Sequence, residues 1–83
     1  MKGIVFREFL DLVEDKFGLE TVNDIIDQSE LASKGAYTSI GTYDFSEMLQ
    51  LLTNLSEKTK ISTDELLYTY GLHFFSVLAR YLS

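Results

Sequence analysis

Apolar and polar residues alternate along most of this chain with a period of three to four, the signature of amphipathic helices. The clearest run covers 62–83, STDELLYTYGLHFFSVLARYLS. Ser62 followed by Glu65 has the spacing of a capping box, which predicts a helix start there. Leu66, Leu67, Tyr70, Phe74, Val77, Leu78, Tyr81 and Leu82 then fall on one broad face of a helix over about 63–82. At 1.5 Å per residue such a helix is roughly 30 Å long, the width of a small domain. Gly71 interrupts it, either as a tolerated interior glycine or where another helix or a flat ligand comes close.

Three shorter helices precede it. Val5, Phe6, Phe9, Leu10, Leu12, Val13 and Phe17 describe the first, over about 4–17, with Arg7, Glu8, Asp11, Glu14, Asp15 and Lys16 as its solvated face. Gly18 ends it, in a position suited to the left-handed closing conformation. The second covers about 19–28, with Leu19, Val22, Ile25 and Ile26 able to face inward, and is too short to persist without neighbours. Residues 29–43 lose the period and form an irregular loop, with a short extended piece expected at 36–40. A loop of that length in a small domain suggests a task or mobility. Asp44 and Glu47 repeat the box-like spacing and open a third helix over about 45–59, buried through Phe45, Met48, Leu49, Leu51, Leu52 and Leu55. The fold expected is all-α, with four helices in a single domain over 1–83.

Composition narrows the chemistry. The 83 residues contain no cysteine, proline or tryptophan and one histidine, His73, so neither a disulfide, a cysteine-based zinc site nor a multi-histidine site can staple the chain. A formal net charge of −6 lacks the clustered lysine and arginine that phosphate neutralisation needs, and excludes nucleic acid as the expected partner. The amino terminus carries no apolar run long enough for a signal peptide, and no stretch reaches the roughly 18 apolar residues of a membrane span. A cytoplasmic protein is the expectation.

Signals of catalysis are weak: there is no phosphate loop, nucleophile elbow or paired histidine motif. Glu14 with Asp15, or Asp24 with Asp27, are carboxylate pairs that amphipathic helices ordinarily turn to solvent, so no enzyme is expected. His73, at the edge of the last helix's stripe, is a possible metal or heme ligand, but a histidine so placed is expected to bond a backbone carbonyl or water. The rings of Phe6, Phe9, Phe17, Phe45, Phe74, Phe75, Tyr68, Tyr70 and Tyr81 are core material. Four helices with few surfaces of their own can nevertheless leave an apolar patch open to a partner or ligand.

Several short motifs occur in a collinear order. Met1-Lys2-Gly3 runs into a helix ending Phe17-Gly18. Gly35-Ala36-Tyr37-Thr38 and Gly41-Thr42-Tyr43 mark the loop, Leu55-Ser56-Glu57-Lys58-Thr59 the third helix, and Glu65-Leu66-Leu67 precedes Tyr70-Gly71. Together they resemble the amino-terminal helical part of the heme nitric oxide/oxygen binding (H-NOX) domain along the whole chain. The resemblance implies a helical subdomain that forms the distal wall of a pocket for heme b, which a following α/β subdomain completes. It further implies sensing of nitric oxide or oxygen and signalling to a cyclase, a histidine kinase or a chemotaxis receptor. Matched by position, Val5, Phe9, Phe74 and Leu78 would face the heme. The family's iron-ligating histidine and its Tyr-x-Ser-x-Arg motif belong to the part beyond Ser83, and His73 does not match the ligand position, so this chain alone is not expected to ligate heme iron. The partner of the apolar wall is then the downstream proximal subdomain. The alternative is a heme-free helical interaction module, which would bury the same wall against a second copy, in one variant by swapping the long helix.

Overall fold

The computed structural model describes residues 1–82, with the side chains of Tyr81 and Leu82, expected in the last apolar stripe, outside the described residues. Four helices follow one another: α1 (Gly3–Phe17), α2 (Leu19–Asp27), α3 (Phe45–Thr59) and α4 (Thr63–Leu82). Each boundary agrees with the periodicity to within a residue. No strand forms among the described residues; strand-like pairing amounts to one antiparallel bridge, Lys2 to Thr42, and none falls at 36–40.

α1 packs against α2 and α4, and α3 closes the bundle by packing against the same two. Phe6, Phe9, Val13, Ile25, Leu51 and Leu55 are completely enclosed at the centre. Burying such side chains contributes about 1.5–3 kcal/mol each relative to leaving them exposed, the main source of stability open to a chain this short. Not every expected inward residue is inside. Leu19, Phe45 and Leu49 are exposed. Phe45 and Leu49 lie one turn apart, rotated around α3 away from Met48, Leu52 and Leu55, which the bundle covers.

The helix ends show how local chemistry was redirected by packing. Ser62 Oγ accepts the Glu65 backbone N–H at 3.2 Å, the capping half of the expected box. Asp44 caps α3 by accepting from the Ser46 N–H at 3.2 Å, but Glu47 does not reach back to it. Its carboxylate is 5% exposed and turns inward, accepting hydrogen bonds from Ser33 Oγ at 2.6 Å and Tyr37 Oη at 3.1 Å. A buried carboxylate requires such donors. Gly18 does end α1, with its N–H on the Glu14 carbonyl, yet at φ 93° and ψ 161° it is extended and not left-handed helical. That region is open essentially to glycine alone, and it lets α2 start at the next residue.

The 29–43 loop is tied down along its length. Glu30 exchanges two hydrogen bonds with the Gln50 side chain, N–H to Oε1 at 2.8 Å and Nε2 to the carbonyl at 3.1 Å. Tyr37 stacks on Phe6 with ring centroids 4.4 Å apart, and Tyr43 meets both rings edge-on. Tyr43 also accepts the Thr38 N–H at 2.8 Å and exchanges backbone hydrogen bonds with Met1. The loop's task within this chain is to seal the amino-terminal end of α1.

Burial raises the Tyr37 phenol to about 12, and burial followed by the charge of Glu8 raises that of Tyr70 as well. An unfolded tyrosine ionises near 10. Above about pH 10 the unfolded chain therefore sheds protons that the folded chain keeps. The contribution of these two phenols is complete below that pH and declines as pH climbs toward the folded values. A lower urea midpoint at about pH 11 than at about pH 8, restored in part by Tyr37→Phe, is the expected result; equal midpoints would contradict the burial of these rings.

Candidate functional site

α4 carries two apolar faces. Leu66, Tyr70 and Val77 are buried on the side turned to the bundle. The Tyr70 ring stands edge-on to Phe9 at 5.3 Å, and its hydroxyl donates to the Val5 carbonyl. A second face, roughly 100° or more around the helix at 100° per residue, has no such cover. Leu67 is 49% exposed, Phe75 74% and Leu78 44%, and they surround Gly71, where an added Cβ would find no atom within 4 Å. Hydrocarbon displayed at i, i+8 and i+11, with a glycine at i+4, is a second stripe of helical spacing, unlike isolated surface leucines.

The four residues expected to face a cofactor sit as follows. Phe74 is half-buried where the two faces meet, its ring 5.8 Å from that of Tyr70. Val5, also half-buried, accepts the Tyr70 hydroxyl at its backbone carbonyl, while Leu78 is one turn further along the open face. Phe9 is 1% exposed and backs Tyr70 from beneath. The structure thus brings Val5 and Phe74 together around Tyr70, with Leu78 beyond them. Leu67, Gly71 and Phe75 complete the open face. Their spacing was legible, but a single broad stripe running from Leu66 to Leu82 concealed that α4 has two.

His73 is not on this face. It follows Gly71 by two residues and therefore points to nearly the opposite side of the helix. Its Nε2 lies 3.5 Å from Glu8 Oε1, with both side chains largely covered, and makes no hydrogen bond. What Nε2 faces is a carboxylate of α1 and not the expected backbone carbonyl. Among the described residues no group of three or more acidic or histidine side chains could hold a metal ion. Of the carboxylate pairs, Asp24 is in an ion pair with Lys58 at 2.7 Å, which joins α2 to α3 and holds the ammonium above its ordinary range. Glu14 and Asp15 are exposed.

Residues 2–82 match the family model for Haem-NO-binding. The fold superposes on a crystal structure of the Fe(II) unliganded H-NOX protein from K. algicida with a TM-score of 0.93 and 73% identity, over 94% of this chain and 42% of that one. It is also similar to the solution structure of the IWP-051-bound H-NOX from Shewanella woodyi in the Fe(II)CO state, with a TM-score of 0.84 and 41% identity over 96% of this chain and 42% of that one. No curated protein matches. The chain spans less than half the length of these solved structures. An all-helical match of this identity, extending over nearly every residue, leaves one assignment: the chain belongs to the H-NOX (Haem-NO-binding) family.

Proposed function

We propose that the chain is the distal-side helical portion of a heme-based sensor of nitric oxide or oxygen, acting in signal transduction rather than catalysis. The observation that carries this reading is the open apolar face of α4, continued by Phe74 and Val5 onto the seam with α1. Heme is a broad flat hydrocarbon surface, and a wall whose centre is a glycine without a side chain suits one side of it. Heme, when bound, supplies the iron at which a diatomic gas coordinates. The residues here exclude water and set the shape of that side. Tyr70's hydroxyl is satisfied by the Val5 carbonyl, so this tyrosine offers its ring and not a free hydrogen-bond donor.

Axial ligation falls to residues outside this chain, since His73 is turned toward Glu8. Transmission would use the α1–α4 seam: Val5, Glu8 and Phe9 on one side, Tyr70 and His73 on the other. A signal requires that these contacts differ between two states of the domain. The downstream proximal subdomain is the proposed partner, with a cyclase, histidine kinase or chemotaxis receptor receiving the signal in the cytoplasm. No described helix is long and apolar enough to cross a membrane.

Titrating the chain with heme alone should give at most a weak Soret band without histidine ligation. A tight complex with a histidine-ligated spectrum that disappears in His73→Ala would contradict the placement of His73 outside the pocket. The same open face, with no iron ligand on it, also favours a second reading as a heme-free module that buries it against another copy. Sedimentation separates the two, because a stable dimer indifferent to heme supports the second and a monomer the first.

A further inference from the structure

Away from the open face of α4, the carboxyl-terminal half of α1, the end of α3 and the first turns of α4 surround a cavity of about 170 Å³. Its depth is formed by Phe9, Leu12, Val13, Leu55 and Leu66, all nearly or completely buried, with half-buried Phe17 and Ile61 beside them. Its polar lining is confined to Lys16, Glu65 and Thr69. Lys16 and Glu65 are solvent-exposed, so they stand at the opening while hydrocarbon forms the depth.

We infer that this cavity binds a small neutral apolar molecule of the size of a monocyclic aromatic. Three observations lead there. The first is volume: a hydrocarbon-lined cavity of about 150 Å³ stays dry and takes up benzene or xenon, whereas pockets for drug-sized ligands begin at roughly 300 Å³. The second is lining. Water in the depth would lack the two to four polar partners that hold it, so a ligand gains the dispersion contacts that an empty space leaves unmade. The third is rigidity. Apart from Ile61 in the short α3–α4 connection, the apolar walls come from three helices that also pack the bundle, and such a preformed site loses little freedom on binding.

Charge sets the limit on the ligand. A net charge carried into the depth would find no counter-ion there. One hydroxyl or amine left at the opening can instead remain hydrated beside Lys16 and Glu65. The binding site is separate from the α4 face and does not depend on heme.

Toluene is the probe. Titrated into the chain and followed through methyl resonances, it should shift Leu12, Val13, Leu55 and Leu66 saturably, with Leu67 and Leu78 unmoved. Leu66→Phe, which fills the space, should weaken binding by at least about tenfold, since one methylene in an apolar pocket changes affinity on that scale. If that variant does not fold, Thr69→Leu at the opening carries the same expectation. Phe75→Ser should bind as the parent does. Absence of saturable shifts up to the solubility of toluene, shifts confined to Leu67 and Leu78, or a folded filling variant that binds unchanged would each overturn the inference.

Discussion

Phe6→Ala is expected to cost about 3–5 kcal/mol, as large-to-small changes at completely enclosed aromatic positions do. A chain of 83 residues has roughly 4–12 kcal/mol of net stability, so the variant should sit near the edge of unfolding. The position explains the size of the effect. Phe6 is fully buried, stacks on Tyr37 at 4.4 Å and meets Tyr43 edge-on at 5.8 Å. Its loss removes the ring on which the 29–43 loop is folded, and the cavity cannot close while Glu47 holds Tyr37 from the other side. Phe75→Ala is the counterpart: its ring is 74% exposed, and its removal should change stability by no more than about 0.5 kcal/mol. Urea unfolding of the two variants measures the contrast. Equal losses would mean that α4 is covered in solution by something this fold does not provide.

Gly3→Ala carries the second large effect. A methyl at that position would lie 1.6 Å from the Thr38 carbonyl oxygen and 2.9 Å from the Tyr43 ring. The first of these is a backbone atom and cannot rotate away. Gly3 also donates its N–H to the Gly41 carbonyl at 2.8 Å, and the Met1 ammonium donates to the Tyr43 carbonyl at 2.7 Å. Admitting the methyl requires the whole 38–43 segment to retreat, taking Tyr43 from Phe6. A loss of about 3 kcal/mol is expected, at the upper end of what overpacking usually costs. Amide exchange should accelerate at Gly3 and Tyr43 before it does in α3. Gly71→Ala has the opposite sign. It sits mid-helix with nothing near, so a gain of about 1 kcal/mol is expected from helix propensity alone. A harmless Gly3→Ala would contradict the close contact between α1 and the loop.

These two glycines also show where sequence reading stops. Helix positions were legible because each apolar stripe repeats with the helical period, and the starts of α3 and α4 carry capping side chains in Asp44 and Ser62. Such signals are local. Gly3 looks like an ordinary helix start, and only the return of a loop some forty residues later makes it indispensable. Glu47 had the spacing of a cap, yet the hydroxyls of Ser33 and Tyr37 claim it from a segment without periodicity. His73 reads as an edge residue, and the identity of its neighbour, Glu8, is a matter of how α1 and α4 are set against each other.

The candidate site was legible in a different way. Val5, Phe9, Phe74 and Leu78 came from resemblance, since nothing in apolar spacing tells a core face from a cofactor face. Exposure separates the two. Leu66 and Tyr70 are closed off while Leu67 and Phe75, one and five positions along, are open. The sequence does contain that second stripe, with Gly71 at its centre, but it is visible only once the first stripe is known to be covered by α1 and α3.

Whether the open face of α4 is one wall of a heme pocket is decided by a chimera in which residues 1–82 replace the corresponding part of the K. algicida H-NOX protein, 73% identical over the matched region. The chimera should bind heme stoichiometrically, with a Soret band that shifts on addition of nitric oxide. Leu78→Asp on the open face should abolish that binding, whereas Ile40→Asp, exposed on the loop, should leave it intact. A chimera that folds without taking up heme, or one in which Leu78→Asp binds heme as well as its parent, would mean that this face of α4 does not line the heme.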